Sequence, residues 1–596
     1  MHAALHETLP RWLELVVALL TAANAQSNED SLLVVKLGLG WLSIVVEWAS
    51  PPEIEPICDR IVDQVIRFLS VAAHSIYEDA AKCLTAVASR KRIGEAEKVI
   101  VNTFFRDHVI NAVLETTSMA AGVAESNETH YSYLKALCDT LSTVGLQLAN
   151  VWSNFQQSGA QIPPPPANFG LFLSALSELF VHPSLILRSE ATQVLCRFAQ
   201  SPVIKKWKAF KDTAKMLIPR MHRLIEKIGM PSDQSPSSSS SHYSRMDYDD
   251  DLAWMHDFAQ YRTRMFNLVN FLCEENVEQF IDVCEVEIYK KIMEDPNQVT
   301  TNEWDVAHKW TKGLFVVVFD QQLITKNNTP VYFDKLKSAF LECIVAARDK
   351  ATWTSANEAL SVISQLTPVI EVEPELIKQL LFLIEKLSVQ SPMEEKQLKR
   401  HCISALIRLI TDYPVAAKVY WAEIFQMCER ISATSTLMQN AQIANAIAAL
   451  SNIAPSTEDR KKLLEVALAP QLEALQRMQG LFMDKFSFLR GTGFTEPPPP
   501  MEMADEFEGV RTRKMLRSTL SAIEGIVQKV PNFSIIAPII VPKCEAFARL
   551  LRILFELYDP EVLAAVHPDY AGMLEIPHLE RQAIYCCCTF LQGSCQ

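Results

Sequence analysis

One stretch of the chain crowds its cations: Lys205, Lys206, Lys208, Lys211, Lys215, Arg220, Arg223 and Lys227 are set against Asp212 and Glu226 alone. Lys208, Lys211 and Lys215 are spaced i, i+3 and i+7, so a helix here carries them as one stripe and turns Trp207 and Phe210 toward the core. A row of ammonium groups at that pitch can take phosphate oxygens by charge alone. The bland alternative is a solvated positive face. A second patch holds Lys396, Lys399, Arg400 and Arg408, offset by Glu394 and Glu395. The third, Arg460, Lys461 and Lys462, follows Asp459 at a helix start, where the backbone amides themselves favour anions. In the fourth, Arg511, Arg513, Lys514 and Arg517 come directly after an acidic stretch. Arg513 and Arg517 share a helical face, and the acidic loop could equally fold back onto them. None of the four is regularly interleaved with aromatics, so stacking of single-stranded bases is not indicated.

Covalent chemistry finds no comparable support. There is no HExxH, no GxSxG elbow, no phosphate-binding GxxxxGK[ST] loop and no paired CxxC knuckle. The densest sulfur cluster, Cys586-Cys587-Cys588 with Cys595, cannot converge on one tetrahedral metal without local distortion. His401 and Cys402 are neighbours, but i,i+1 side chains do not face one another on a helix; Cys402 is expected in the core and His401 outside. The sequence therefore predicts no enzyme, no cofactor and no metal site.

The elements that must position these patches are helices. The 596 residues are 49% hydrophobic and 21% charged, and contain 31 prolines and only 16 glycines. Such glycine poverty, about 3% against a usual value of roughly 7%, disfavours nucleotide-loop folds and turn-rich sheets. The 14 cysteines fall largely in apolar helical text, as at Cys83, Cys138, Cys343 and Cys402, and predict reduced core thiols of an intracellular protein. No uninterrupted apolar run has membrane-spanning length, so no membrane insertion is expected. A net charge of −14 argues against indiscriminate coating of nucleic acid, although a partner feels the local field and not the sum.

Apolar residues recur at helical spacing over Glu55–Ala72 with Ser75–Ser89, Tyr131–Ser153 with Phe169–Val181, Glu373–Ser388 with Met393–Thr411, and Leu437–Asn452 with Thr457–Gln476. Pairs that return about every 40–50 residues have the period of HEAT-type units, which bury their faces only by stacking. The expectation is an all-α, HEAT-repeat (ARM-like) superhelical solenoid. Its sections are 1–155 (N-terminal repeats), 167–229 (repeats with the basic helix), 230–251 (a disordered Ser-rich and acidic loop), 252–490 (central repeats), 491–509 (a Pro-rich acidic linker) and 510–596 (C-terminal repeats). The segments 156–166, 230–251 and 491–509 are expected outside the helices.

Several separated stretches resemble one family. They are SIYEDAAKCLTAVASRKR (Ser75–Arg92), HYSYLKALCDTLSTVGLQL (His130–Leu148), Asn168-Phe169-Gly170, His182-Pro183-Ser184 and Leu187-Arg188-Ser189. Further on come Ile228–Ser232 with Tyr243–Asp249, and Lys399-Arg400-His401-Cys402 with Asp412-Tyr413-Pro414. In this order they are similar to the exportin-5 family, karyopherins of the importin-beta superfamily. The resemblance implies a nuclear export receptor that shuttles between nucleus and cytoplasm with GTP-bound Ran. Its implied cargo is hairpin or double-stranded RNA with a 3′ overhang, gripped by an inner surface while a tunnel takes the overhang; protein cargo and nucleoporins are further implied partners. It sets Asp459-Arg460-Lys461 on the tunnel stretch, matches Arg511–Arg517 loosely to a basic helix, and matches Lys205–Lys227 by position. The family pattern extends beyond both ends of this chain, so part of the Ran-binding surface is expected outside it. The competing reading is a helical-repeat protein-interaction scaffold without Ran or RNA transport activity.

Overall fold

The computed structural model describes residues 2–570 apart from 25–28, 71–73, 91–94, 159–161, 163, 234–238, 501–505, 531–532 and 558. Cys586–Cys588 and Cys595 lie outside the described residues. Among those described there is no β-strand, only an isolated bridge between Thr325 and Asn328. The architecture is all-α, a HEAT/ARM-like solenoid of paired helices, and it divides into two units.

Unit 1 spans Met1–Val286 and Thr300–Leu323. Its principal helices are α1 (His2–Asn24), α2 (Glu29–Trp48), α3 (Cys58–Val65), α4 (His74–Ala88), α5 (Asp107–Ala124), α6 (Glu128–Ser158), α7 (Phe169–Phe180), α8 (Leu185–Gln200), α9 (Lys208–Leu224), α10 (Ser239–Asp247), α11 (Asp251–Val283) and α12 (Thr301–Asp320). One layer runs α2, α4, α6, α8, α11, each packed on the next; α1, α3, α5, α7, α9 and α12 belong to the other. Pairs such as α5 with α6, α7 with α8 and α9 with α11 bridge the layers, so each helix buries one stripe against its partner and another against the next repeat.

Unit 2 spans Glu287–Val299 and Ile324–Gln596. It contains α13 (Tyr332–Asp349), α14 (Trp353–Leu366), α15 (Ile377–Gln390), α16 (Lys396–Asp412), α17 (Trp421–Ser432), α18 (Leu437–Ser451), α19 (Thr457–Arg477), α20 (Lys485–Gly491), α21 (Glu508–Lys529) and α22 (Cys544–Glu556). The pairs are α13/α14, α15/α16, α17/α18 and α19/α21, with α14, α16, α18 and α21 forming one continuous layer.

Local chemistry sets the boundaries. Ser184, Asp250, Thr352, Thr436 and Ser456 cap their helices through side-chain oxygens that accept the third amide on. At Thr436 the reciprocal Gln439 bond completes a capping box. Short 3₁₀ turns, those at Pro56 and Pro374 led by proline, shorten two expected helices. Glu55–Ala72 is broken into 3₁₀ turns flanking Cys58–Val65, and Pro374–Leu376 is a 3₁₀ turn before α15.

One expectation needs correction. The segment 230–251 is not outside the helices throughout, because Ser239–Asp247 forms α10 and Asp251 opens α11. Tertiary docking overrides the weak helical propensity of this serine-rich text. Asp247, its side chain 1% exposed, accepts from the Tyr131 hydroxyl and from Lys135 Nζ at 2.9 Å. Tyr243 packs on Tyr131 and His182 at 4.8 and 5.0 Å between ring centroids. By length and composition alone α2 could cross a membrane, but Lys36 and Glu47 interrupt its apolar text, so the expectation of no uninterrupted apolar span stands. The inner face of α2, Val35, Leu39, Leu42 and Val46, is buried in the stack.

Candidate nucleic-acid interface

Helix α9 carries the strongest basic patch. Phe210, Ala214, Leu217, Ile218 and Met221 recur at i, i+4, i+7, i+8 and i+11, and all are buried against α7 and α11. The helix enters from Trp207, whose indole meets Phe169 and Trp152 edge-on at 5.0 and 6.0 Å. With the apolar stripe held in the core, the lysines must face the other way. They are not equally available. Lys211 pairs with Glu275 at 2.8 Å and Lys205 approaches Glu274 at 3.8 Å, while Gln279 donates to the Lys215 carbonyl at 2.7 Å. The acids come from α11 beside the kink at Asn276, distant in sequence. Lys206, Lys208, Lys215 and Arg220 are exposed and have no ion-pair partner among the described residues. The Lys211–Glu275 pair is half-exposed and worth about 0–1 kcal/mol, so an arriving phosphate can replace it.

The patch at the start of α19 is partly engaged by the fold. Ser456 caps the helix by accepting from Asp459 N at 3.0 Å. Arg460 is half-buried, and its Nε points back to the Ala454 carbonyl at 3.4 Å rather than to Glu458 or Asp459. Lys461 and Lys462 make exposed i,i+4 pairs with Glu465 and Glu458 at 3.8 and 3.9 Å. All three remain reachable from solvent.

Helix α21 uses its central arginine for the fold. Arg513 donates to the Thr492 carbonyl and, at 3.2 Å, to the Tyr570 hydroxyl. Its guanidinium also lies 4.8 Å from the Phe494 ring centre and 5.2 Å from that of Tyr570. Gly493 has φ +70°, and a Cβ on Gly509 would stand 2.7 Å from its Cα, so the chain passes itself here at backbone contact distance. The loop does fold back on the basic helix, but carbonyl and aromatic groups hold it; Met501–Asp505 lie outside the described residues. Arg511, Lys514 and Arg517 are exposed.

The Arg460 and Arg513 groups are not brought together. Asn452 donates to the Lys529 carbonyl at 2.7 Å, which puts the end of α21 beside the start of α19. Arg513 therefore lies roughly 25 Å of helix away from that corner. In the Lys396–Arg408 patch, Lys399 is 1% exposed and donates to the Thr434 carbonyl at 3.0 Å, a structural role that its sequence neighbours did not signal.

Among the described residues no group of three or more His, Cys, Asp or Glu side chains could hold a metal ion. Cys402 is fully buried and His401 exposed, as the helical spacing predicts. Burial pushes the thiols of Cys83, Cys138, Cys343, Cys402 and Cys428 up to about 12, the reverse of an activated nucleophile.

Comparison with known proteins points the same way as the fold. The Exportin-5 family model matches residues 128–587. The chain is 21% identical to human Exportin-5 over 620 aligned residues, covering 92% of this chain and 49% of that protein, so it spans about half the length of the curated relative. Among solved structures, Importin13 in its cytosolic state superposes with a TM-score of 0.50 at 11% identity, over 98% of this chain and 68% of that one. That likeness speaks to the fold alone. Since the family model covers well over half of the sequence, the chain belongs to the Exportin-5 family within the importin-beta superfamily.

Proposed function

We propose that this chain acts as a nuclear export receptor of the exportin-5 type. It binds double-stranded or hairpin RNA bearing a 3′ overhang together with GTP-bound Ran, and moves between nucleus and cytoplasm. The observation that carries the reading is the open cationic row of α9: Lys206, Lys208, Lys215 and Arg220 stand exposed on a helix whose apolar stripe is buried in the stack. Duplex RNA is recognised chiefly through phosphates, 2′-hydroxyls and A-form shape, which such a row can engage without base contacts. The function needs no covalent step from this chain, and any GTP hydrolysis belongs to Ran.

The reading is tested by fluorescence anisotropy of two hairpins with unrelated stems and 3′ overhangs, with and without GTP-locked Ran, at about 50 and 200 mM salt. Two to three phosphate contacts lower affinity by roughly 10–50-fold over that interval, equally for both stems. Absence of binding with or without Ran favours the protein-interaction scaffold. Equal affinity at both salts, or a strong preference for one stem, removes the backbone-reading mechanism.

A further inference from the structure

Helix α11 changes neighbours part-way along its length. Its first half lies on α8, where Arg264 donates to the Ser189 hydroxyl at 2.6 Å. Its last turns lie along α9, where Gln279 donates to the Lys215 carbonyl at 2.7 Å. The change falls at Asn276, whose φ of −135° and ψ of 25° depart from helical values. The cause is local. The Asn276 side-chain amide donates to the Leu272 carbonyl at 2.9 Å and so intrudes on the hydrogen-bond ladder of its own helix, an ordinary origin of a kink.

The two residues immediately before the kink are Glu274 and Glu275, and both meet cations of the basic segment. Glu275 is 2.8 Å from Lys211, and Glu274 is 3.8 Å from Lys205. Glu278, one turn further on, is exposed and has no ion-pair partner among the described residues. A lysine already neutralised by a carboxylate displaces no condensed counterion from a polyanion, so it adds nothing to affinity until that carboxylate has left. Lys205 and Lys211 thus belong to the cationic row by sequence but are withheld from it by α11, while Lys206, Lys208 and Lys215 are open. Exposed pairs of this kind are weak, so they restrain the lysines without locking them. We propose that Glu274 and Glu275 form an acidic gate on the row: resident carboxylates that compete with ligand phosphates for Lys205 and Lys211 and set how many phosphates the row takes. The gate rests on the reading of α9 as an RNA-facing surface, and adds to it two affinity-determining residues that do not themselves touch the ligand.

Isothermal titration calorimetry of the full chain tests this with two probes. One is a hairpin with a 3′ overhang; the other is inorganic polyphosphate, which carries dense negative charge without sugar or base. Glu274→Gln/Glu275→Gln keeps the size of both side chains and removes their charge. At about 50 mM salt it is expected to bind both probes about tenfold more tightly than wild type, with a log–log salt slope steeper by roughly 1–2. Glu275→Gln alone gives part of this gain. Glu278→Gln, which removes one charge a turn away without releasing a lysine, gives much less. In Glu275→Gln/Lys211→Gln a neutral pair replaces the ion pair, and affinity and slope return close to wild type. Far-UV circular dichroism stays unchanged in every variant. Equal gains from Glu275→Gln and Glu278→Gln overturn the gate, as does a tightened affinity that survives Lys211→Gln, or no gain on either probe. A hairpin bound with the same affinity by wild type and gate variant overturns the gate and leaves the RNA reading standing. A gain on polyphosphate with no hairpin binding by any variant supports the gate and removes the RNA reading.

Discussion

Helices α9 and α21 carry almost the same text, basic residues at helical spacing with an apolar stripe behind, yet the fold uses them differently. In α9 the partners of Lys205 and Lys211 are half-exposed carboxylates on a neighbouring helix, and Lys206, Lys208, Lys215 and Arg220 are left to solvent. In α21 the central Arg513 is enclosed by two aromatic rings and a backbone carbonyl. A cation enclosed in this way has exchanged its water for acceptors within the protein, so taking a ligand would destabilise the fold. One on an open face loses little by exchanging water for phosphate. The difference lies in what surrounds the charge rather than in the charge.

The sharpest way to break this comparison is Arg513→Ala. It removes two hydrogen bonds from a charged group and two ring contacts, so denaturant unfolding is expected to lose about 2–4 kcal/mol. Arg513→Lys should recover only part of that, because an ammonium lacks the planar fork. An unchanged midpoint with weakened RNA binding would put Arg513 among the ligand contacts instead.

Arg460 sits between the two cases, half-buried with one long bond to its own loop. On the tunnel reading, Arg460→Ala weakens binding of a hairpin with a 3′ overhang by about 1.5–3 kcal/mol and affects its blunt-ended counterpart much less. Equal losses on both RNAs would make it a generic electrostatic contact, and no loss would leave it tied to the Ala454 loop.

Unit 1 has its own enclosed group. Burial, and then the nearby Arg188, lower the His182 imidazole to about 4, and its Nδ1 accepts from the Ser184 amide at 3.1 Å. The unfolded chain takes up the proton near pH 6.5, whereas the folded chain resists it until about 4. Stability is therefore full above pH 6.5 and falls as the pH drops toward 4, by about 2 kcal/mol at pH 5. Comparing chemical denaturation at pH 7.5 and 5 with that of His182→Gln isolates the contribution; equal pH dependence in the two proteins would refute it.

The smallest expected effect belongs to the open row. Lys208→Ala/Lys215→Ala should lower hairpin affinity about tenfold at low salt and flatten the log–log salt slope by roughly 1–2. The unfolding midpoint should stay where it was. A stability loss would show that these lysines brace the fold in the way Arg513 does.

The paired helices, their caps and the burial of Cys402 beside the exposed His401 are legible in the sequence, since each rests on spacings of a few residues: Ser184 with Leu187, Thr436 with Gln439, Cys402 against His401. The α9 stripe is legible for the same reason. What escaped are contacts at long separation. Glu274 and Glu275 are 69 and 64 residues from the lysines they meet, and Tyr570 lies 57 residues from Arg513. Asp247, 116 residues from Tyr131, anchors a helix in text whose serines argued for a loop. No periodicity encodes such pairs.

Helicity, the amphipathic faces that force the helices to stack, and the concentration of cations on particular faces are all written in the order of the residues. They follow from the 3.6-residue repeat and the cost of leaving apolar stripes in water. Which cations stay open to a ligand is settled one level higher, when the helices pack. Lys399 and Arg513 became struts, Lys211 acquired a partner, and Lys208 and Lys215 stayed open. A charge's availability depends on the dielectric and the acceptors around it, and the packing of distant segments creates both.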